Sequence, residues 1–96
     1  MAAYAIVEVE VLEPEAYTAY TSRVPATLEP FDGRFLVRGG AVETLEGAWR
    51  PHRVVVIEFP DAAAAKAWHA SPAYAEIAPI RHRHARTAFL AVVDGV

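Results

Sequence analysis

Arginines and glutamates set inside apolar strand patterns carry most of the chemical potential of this chain. Alternation along Arg34–Arg38 puts Arg34, Leu36 and Arg38 on one face, Glu58 shares a face with Val54 and Val56, and Glu8 shares one with Ile6. If those faces coincide, arginines and carboxylates converge on a largely apolar surface, where unpaired charge is expensive. Such a set can form a small ligand pocket. In it Arg38 would bind a carboxylate, enolate or carbonyl with Arg34 nearby, and Glu58 or Glu8 would move protons. The same residues can instead form a structural ion-pair network that fixes the register of a dimer, and ion pairs of that kind also perturb pKa values.

Tyr17, Tyr20, Trp68 and Tyr74 can line a cavity between helices and sheet, giving an aromatic ligand apolar walls and a few hydroxyls. The competing use is ordinary core packing, which the helical spacing of Tyr17 and Tyr20 with Val24 and Leu28 favours. The indole N–H of Trp68 needs a partner wherever it is buried. His82 can act as an acid or base if the run RHRH turns back toward the sheet.

No metal or cofactor is expected. His82 and His84 lie two apart and point in different directions on a helix, and neither they nor His52 and His69 belong to an HExxH-type motif. Arg81, Arg83 and Arg86 read as a solvated helix end, where cations offset the macrodipole. Gly39 and Gly40 lack the context of a phosphate loop and read as a bend. Cysteine is absent, so disulfides and thiolate chemistry are excluded.

The elements that must position these groups follow from periodicity. Ala3–Leu12 alternates as a strand. A helix starts at Pro14 and carries Tyr17, Tyr20, Val24 and Leu28, with a kink or break near Val24 caused by Pro25, and it ends at Pro30. Arg34–Arg38 is a second strand, continued after the glycine bend by Ala41–Leu45 up to a turn at Glu46–Ala48. Arg53–Phe59 is a strand apolar on both faces, as a central strand should be. Asp61 caps the helix Ala62–Ala70, Ser71 and Pro72 restart a second helical piece through Tyr74 and Ile77, and Thr87–Val93 is the last strand.

The order strand, helix, strand, strand, helix, strand matches a ferredoxin-like α+β domain, with an antiparallel sheet whose first and third strands are central. Two helices can cover only one face of a four-stranded sheet, yet the third strand is apolar on both. A second copy packed sheet against sheet would cover the other.

Composition agrees. Ninety-six residues make one domain, 1–96, and 54% hydrophobic residues is a high share for so small a chain. Mean hydropathy is +0.17. The net charge of −3 and the lack of a basic stripe exclude a nucleic-acid footprint. Glu8 and Glu10 interrupt the first apolar run, unlike a signal peptide, and no run reaches membrane-spanning length. The expectation is a cytoplasmic homodimer that does not engage membranes.

The runs GRFLVRGG, ETLEGAWRPHRVVVIEFP and AAKAWHASPAY, with the opening YAIVEVEVLEPEAYTAY, resemble the domain-of-unknown-function family 1330 of the dimeric α/β barrel superfamily. The resemblance spans nearly the whole chain. It implies a ferredoxin-like subunit that pairs its sheet with that of a second subunit. Relatives in the superfamily include cofactor-independent monooxygenases, muconolactone isomerase-like enzymes, haem-binding members and stress-responsive proteins, a spread that leaves the reaction open. The expectation is a small-molecule-binding dimer, either an enzyme acting without a cofactor on a small organic acid or aromatic compound, or a non-catalytic structural or stress-related dimer.

Overall fold

A computed structural model describes all residues, Met1–Val96. Strand β1 (Ala3–Val11) is followed by helices α1 (Pro14–Thr21) and α2 (Val24–Leu28), a 3-10 turn at Glu29–Phe31, and strands β2 (Arg34–Arg38) and β3 (Arg53–Phe59). Helices α3 (Ala62–Ala70) and α4 (Pro72–His84) and strand β4 (Ala85–Asp94) complete the chain. The strands form one antiparallel sheet in the order β2-β3-β1-β4, so β1 and β3 are central as expected.

The alternation of β1 divides the sheet into two unlike faces. Ala3, Ala5, Val7 and Val9 point under the helices and are buried, whereas Tyr4, Ile6, Glu8 and Glu10 point the other way and are only half covered. In register with the second set stand Val56, Glu58, Ala91 and Val93. The domain measures 35 × 34 × 17 Å, the thickness of one sheet and one helical layer. The second face carries no layer of its own, and Phe89 and Val93 on it are 41% and 48% exposed.

Local chemistry explains the helix breaks. The αR residues Ser22 and Arg23 separate α1 from α2, and Pro25 falls in the first turn of α2, where a missing N–H costs little. Asp61 caps α3 by accepting from the Ala64 N–H at 2.7 Å. Ser71 serves two helices: its hydroxyl donates to the Trp68 carbonyl at 2.7 Å and accepts from the Tyr74 N–H at 3.3 Å. Its extended backbone splits α3 from α4, and Pro72 follows at the first helical position. Gly33 is held against the core, since a Cβ there would meet the Phe59 ring at 2.7 Å.

Two expectations fail in the β2–β3 region. Residues Ala41–Leu45 are not a strand. The ladder ends where the Gly39 N–H donates to the Val54 carbonyl at 2.9 Å, and β3 begins only at Arg53, after Pro51, which has no N–H to offer. The chain from Gly40 to His52 loops instead, with the Thr44 hydroxyl donating to the Trp49 carbonyl. The second failure is in β2 itself. Phe35 pairs with Ile57 but Val37 pairs with Val56, so Leu36 is an extra residue in a β-bulge. The bulge reverses the alternation. Arg34 lies opposite Glu58 on the open face, while Arg38 lies opposite Val55 on the helix-covered face.

α4 and β4 are longer than their sequence patterns indicate. The helix runs from Pro72 to His84 through Pro79, and β4 begins directly at Ala85. The tetrad Arg81, His82, Arg83 and His84 is therefore helical, and helical geometry turns Arg81 inward.

Candidate functional site

Under α1 and α2, above the β3–β1 half of the sheet, lies a cavity with about 30 Å³ of free volume, room for about two waters. Val7, Val9, Val55 and Ile57 form its sheet wall, and Tyr17, Tyr20 and Val24 its helical wall. Phe35 and Trp68 add aromatic rings to the lining. Three arginines, Arg38, Arg53 and Arg81, also line it. The cavity gives onto an open cleft of about 600 Å³, and the two share Tyr17, Thr21, Arg38 and Arg53. Those four residues are the mouth; Arg81 belongs to the interior alone.

Arg81 is the unusual group. It is only 4% exposed, and no carboxylate stands within ion-pair distance of it. One terminal nitrogen donates to the Tyr74 hydroxyl at 2.5 Å, another lies 3.1 Å from Nε2 of His82, and Nε has no partner. A buried guanidinium without a counter-ion carries a desolvation penalty of several kcal/mol. Arg81 corrects the expectation of a solvated helix end, which holds for the exposed Arg83; Arg86 is also exposed but lies in β4, where it donates to Glu10 at 2.9 Å.

The phenols around Arg81 stay neutral. Burial, reinforced by neighbouring Tyr20, pushes the Tyr17 phenol up to about 12 against the opposing pull of Arg81 and Arg53. Burial and then Tyr20 push Tyr74 up further still, against Arg81. A neutral phenol can donate a hydrogen bond, and the Tyr20 and Tyr74 hydroxyls share one at 2.7 Å. Tyr74 also packs on Trp68 with ring centroids 4.4 Å apart.

At the mouth both arginines are held without carboxylates. Arg38 donates to the Thr21 carbonyl and lies 4.2 Å over the Phe35 ring. Arg53 runs past Gly39, whose φ of 77° keeps it in the left-handed region. A Cβ at Gly39 would overlap the Arg53 guanidinium, so glycine satisfies both backbone and packing there.

The residues singled out in the sequence thus separate into two groups. Tyr17, Tyr20, Trp68 and Arg38 line the cavity, and Tyr74 stands behind it as the link between Tyr20 and Arg81. The Trp68 N–H finds its partner in the Thr27 hydroxyl at 3.0 Å. Arg34, Glu58 and Glu8 are on the opposite face of the sheet. There Arg34 pairs with Glu58 at 2.5 Å, and Glu8 accepts from the Trp49 indole N–H at 2.9 Å. Arg38 and Glu58 therefore do not converge within one subunit, because the bulge at Leu36 sends them to different faces. His82 is exposed and touches the site only through Arg81.

Arg53 and Arg81 are the charged lining residues that the sequence reading missed. A signal for Arg81 exists: Tyr74, Ile77 and Arg81 recur at helical spacing, and the first two are core residues. No group of three or more His, Asp and Glu side chains is arranged to hold a metal ion. No helix is long and apolar enough to cross a membrane.

Solved structures share this fold across nearly the whole chain. A protein of unknown function from Rhodopseudomonas palustris matches with a TM-score of 0.74 at 20% identity, covering 99% of this chain and 82% of that one. A dimeric ferredoxin-like protein of unknown function from Jannaschia sp. CCS1 matches with a TM-score of 0.75 at 13% identity, covering 99% and 100%. SnoaB, a cofactor-independent oxygenase from Streptomyces nogalater, matches with a TM-score of 0.68 at 13% identity, covering 99% and 93%. At such identities the likeness establishes the ferredoxin-like fold alone. No functionally curated protein matches the sequence. A family model matches residues 2–96, and the chain accordingly belongs to the DUF1330 family, a domain of unknown function.

Proposed function

We propose that this protein is a homodimer, paired through the open sheet face, that binds a small organic anion at the helix–sheet cavity of each subunit, with the charged group inside and the body at the mouth. One observation carries the binding reading: Arg81 is buried, lines the cavity and has neither a carboxylate partner nor a partner for Nε. A ligand carboxylate, phenolate or enolate is the missing counter-ion. The chain as a whole is acidic, at −3, so the three unpaired guanidiniums around one cavity are a local reversal of sign. The Tyr17 ring at the mouth suits a hydrocarbon or aromatic body.

The chemistry available without a cofactor is electrostatic. Arg81 would stabilise negative charge developing on a ligand oxygen, and neutral Tyr17 can donate a hydrogen bond to it. Glu58 stands apart from this site, and its pairing with Arg34 on the open face fits the structural, register-setting use of charge. Dimeric relatives of the same fold support the pairing of subunits, as does the uncovered apolar face.

A thermal-shift comparison of benzoate and 4-hydroxybenzoate with neutral benzyl alcohol tests the binding reading. A ligand at a hundred times its Kd stabilises by about 2.7 kcal/mol. For a domain of this size that is a rise in Tm on the order of 10 °C. The anions are expected to give such shifts and benzyl alcohol none. Equal shifts from neutral and anionic compounds, or none from any, would refute it.

A further inference from the structure

From the division of the three arginines between interior and mouth, we infer that the natural ligand carries two anionic groups, one held inside at Arg81 and the other at the mouth by Arg38 and Arg53. The inference rests on the anion-binding reading of the same cavity and names the ligand class more narrowly. The inner space, about 30 Å³, is too small to enclose an organic acid, so any ligand that reaches Arg81 must extend through the mouth toward the open cleft. Its outer end then lies beside two guanidiniums that also lack carboxylate partners.

Two like charges on one rim repel each other, and a neutral ligand would leave that repulsion in place. The rim is also held in position. Arg38 is fixed by the Thr21 carbonyl and the Phe35 ring, and Arg53 occupies the space that Gly39 leaves by lacking a Cβ. Between the two charged ends, Tyr17 lines both spaces and feels both Arg53 and Arg81. The matching ligand is a dicarboxylate, or a carboxylate joined to a phenol or enol, with a spacer that passes Tyr17 and Thr21 where the inner space meets the cleft. A guanidinium fork binds such an outer carboxylate through paired charge-assisted hydrogen bonds.

Diacids and their half-esters, which have nearly the same length and shape but one charge fewer, isolate the second subsite. Calorimetric Kd values for glutarate, adipate, pimelate and terephthalate are compared with those of their monomethyl esters on the intact protein. For at least one spacer the diacid is expected to bind about tenfold more tightly than its half-ester, the scale of one good charge-assisted contact. In Arg38→Gln/Arg53→Gln the diacid to half-ester ratio is expected to fall to near one. Should that double variant not fold, Arg53→Lys keeps the charge but removes the fork, and an intermediate ratio is expected.

A wild-type ratio near one for every spacer would overturn the second subsite while leaving the binding of monoanions intact. A ratio that survives unchanged in the mouth variants would overturn it as well. If neither diacids nor half-esters bind, both this inference and the anion-pocket reading fall.

Discussion

Replacing Arg81 by methionine is expected to raise the melting temperature of the free protein and to abolish its stabilisation by small organic acids. The guanidinium is 4% exposed, unpaired with any carboxylate and unsatisfied at Nε, so the folded state bears its desolvation. Methionine fills a similar length of space with flexible apolar atoms. Exchanging buried ionic groups for apolar ones of similar volume is often neutral or stabilising by about 1–4 kcal/mol. In a domain this small each kcal/mol is worth roughly 4–8 °C. The Tyr74 hydroxyl loses one partner but keeps Tyr20 at 2.7 Å, so no buried hydroxyl is orphaned. Thermal unfolding of both proteins, with and without benzoate, gives the result. A variant destabilised by about 3 kcal/mol, the scale of a broken buried network, would instead make Arg81 a structural anchor for Tyr74.

Val56→Asp is expected to convert the protein from dimer to monomer. Val56 stands opposite Ile6 of β1 and Val37 of β2 near the centre of the uncovered face, where Val93 and Phe89 also lie. A sheet-to-sheet interface would bury the new carboxylate without a partner, at a cost of several kcal/mol in each subunit. In the free subunit the same position can reach water, so the fold itself should survive. Sedimentation at micromolar concentration is expected to give a single 10.5 kDa species for the variant and twice that mass for the wild type. A wild-type monomer, or a variant that remains dimeric, would remove the sheet face from the interface.

Much of the scaffold was legible because its signals are local. The alternation of β1, the β-branched run of β3, the Asp61 cap and the Ser71–Pro72 restart each report a short-range physical preference, and each element stands where its residues place it. The strand order followed from handedness rules applied to those elements. The site was less legible, because it depends on register. Nothing in Arg34–Arg38 marks Leu36 as an extra residue: no glycine or proline interrupts the run, and strict alternation puts Arg34 and Arg38 together. One unpaired residue sends them to opposite faces and separates Arg38 from Glu58.

Ala41–Leu45 failed as a strand for a related reason. Its apolar residues satisfy a strand pattern, but β3 starts too late to offer a partner. Arg81 was obscured by its neighbours, since the charges of Arg83 and Arg86 suggest a solvated tip. Its phase relative to Tyr74 and Ile77 places it in the core face, and there phase outweighs charge. Of the aromatic residues, Tyr17, Tyr20 and Trp68 line the cavity and are also core, so the two uses are not exclusive in this domain.

The side-chain Nε–H resonance of Arg81 reports on the pocket at the atom that lacks a partner. In a titration of isotopically labelled protein with benzoate, that signal is expected to shift and saturate together with the backbone amides of Tyr17 and Thr21, and to be missing from the Arg81→Met spectrum. An Arg81 signal that stays in place while benzoate moves only resonances elsewhere would contradict the anion-binding cavity.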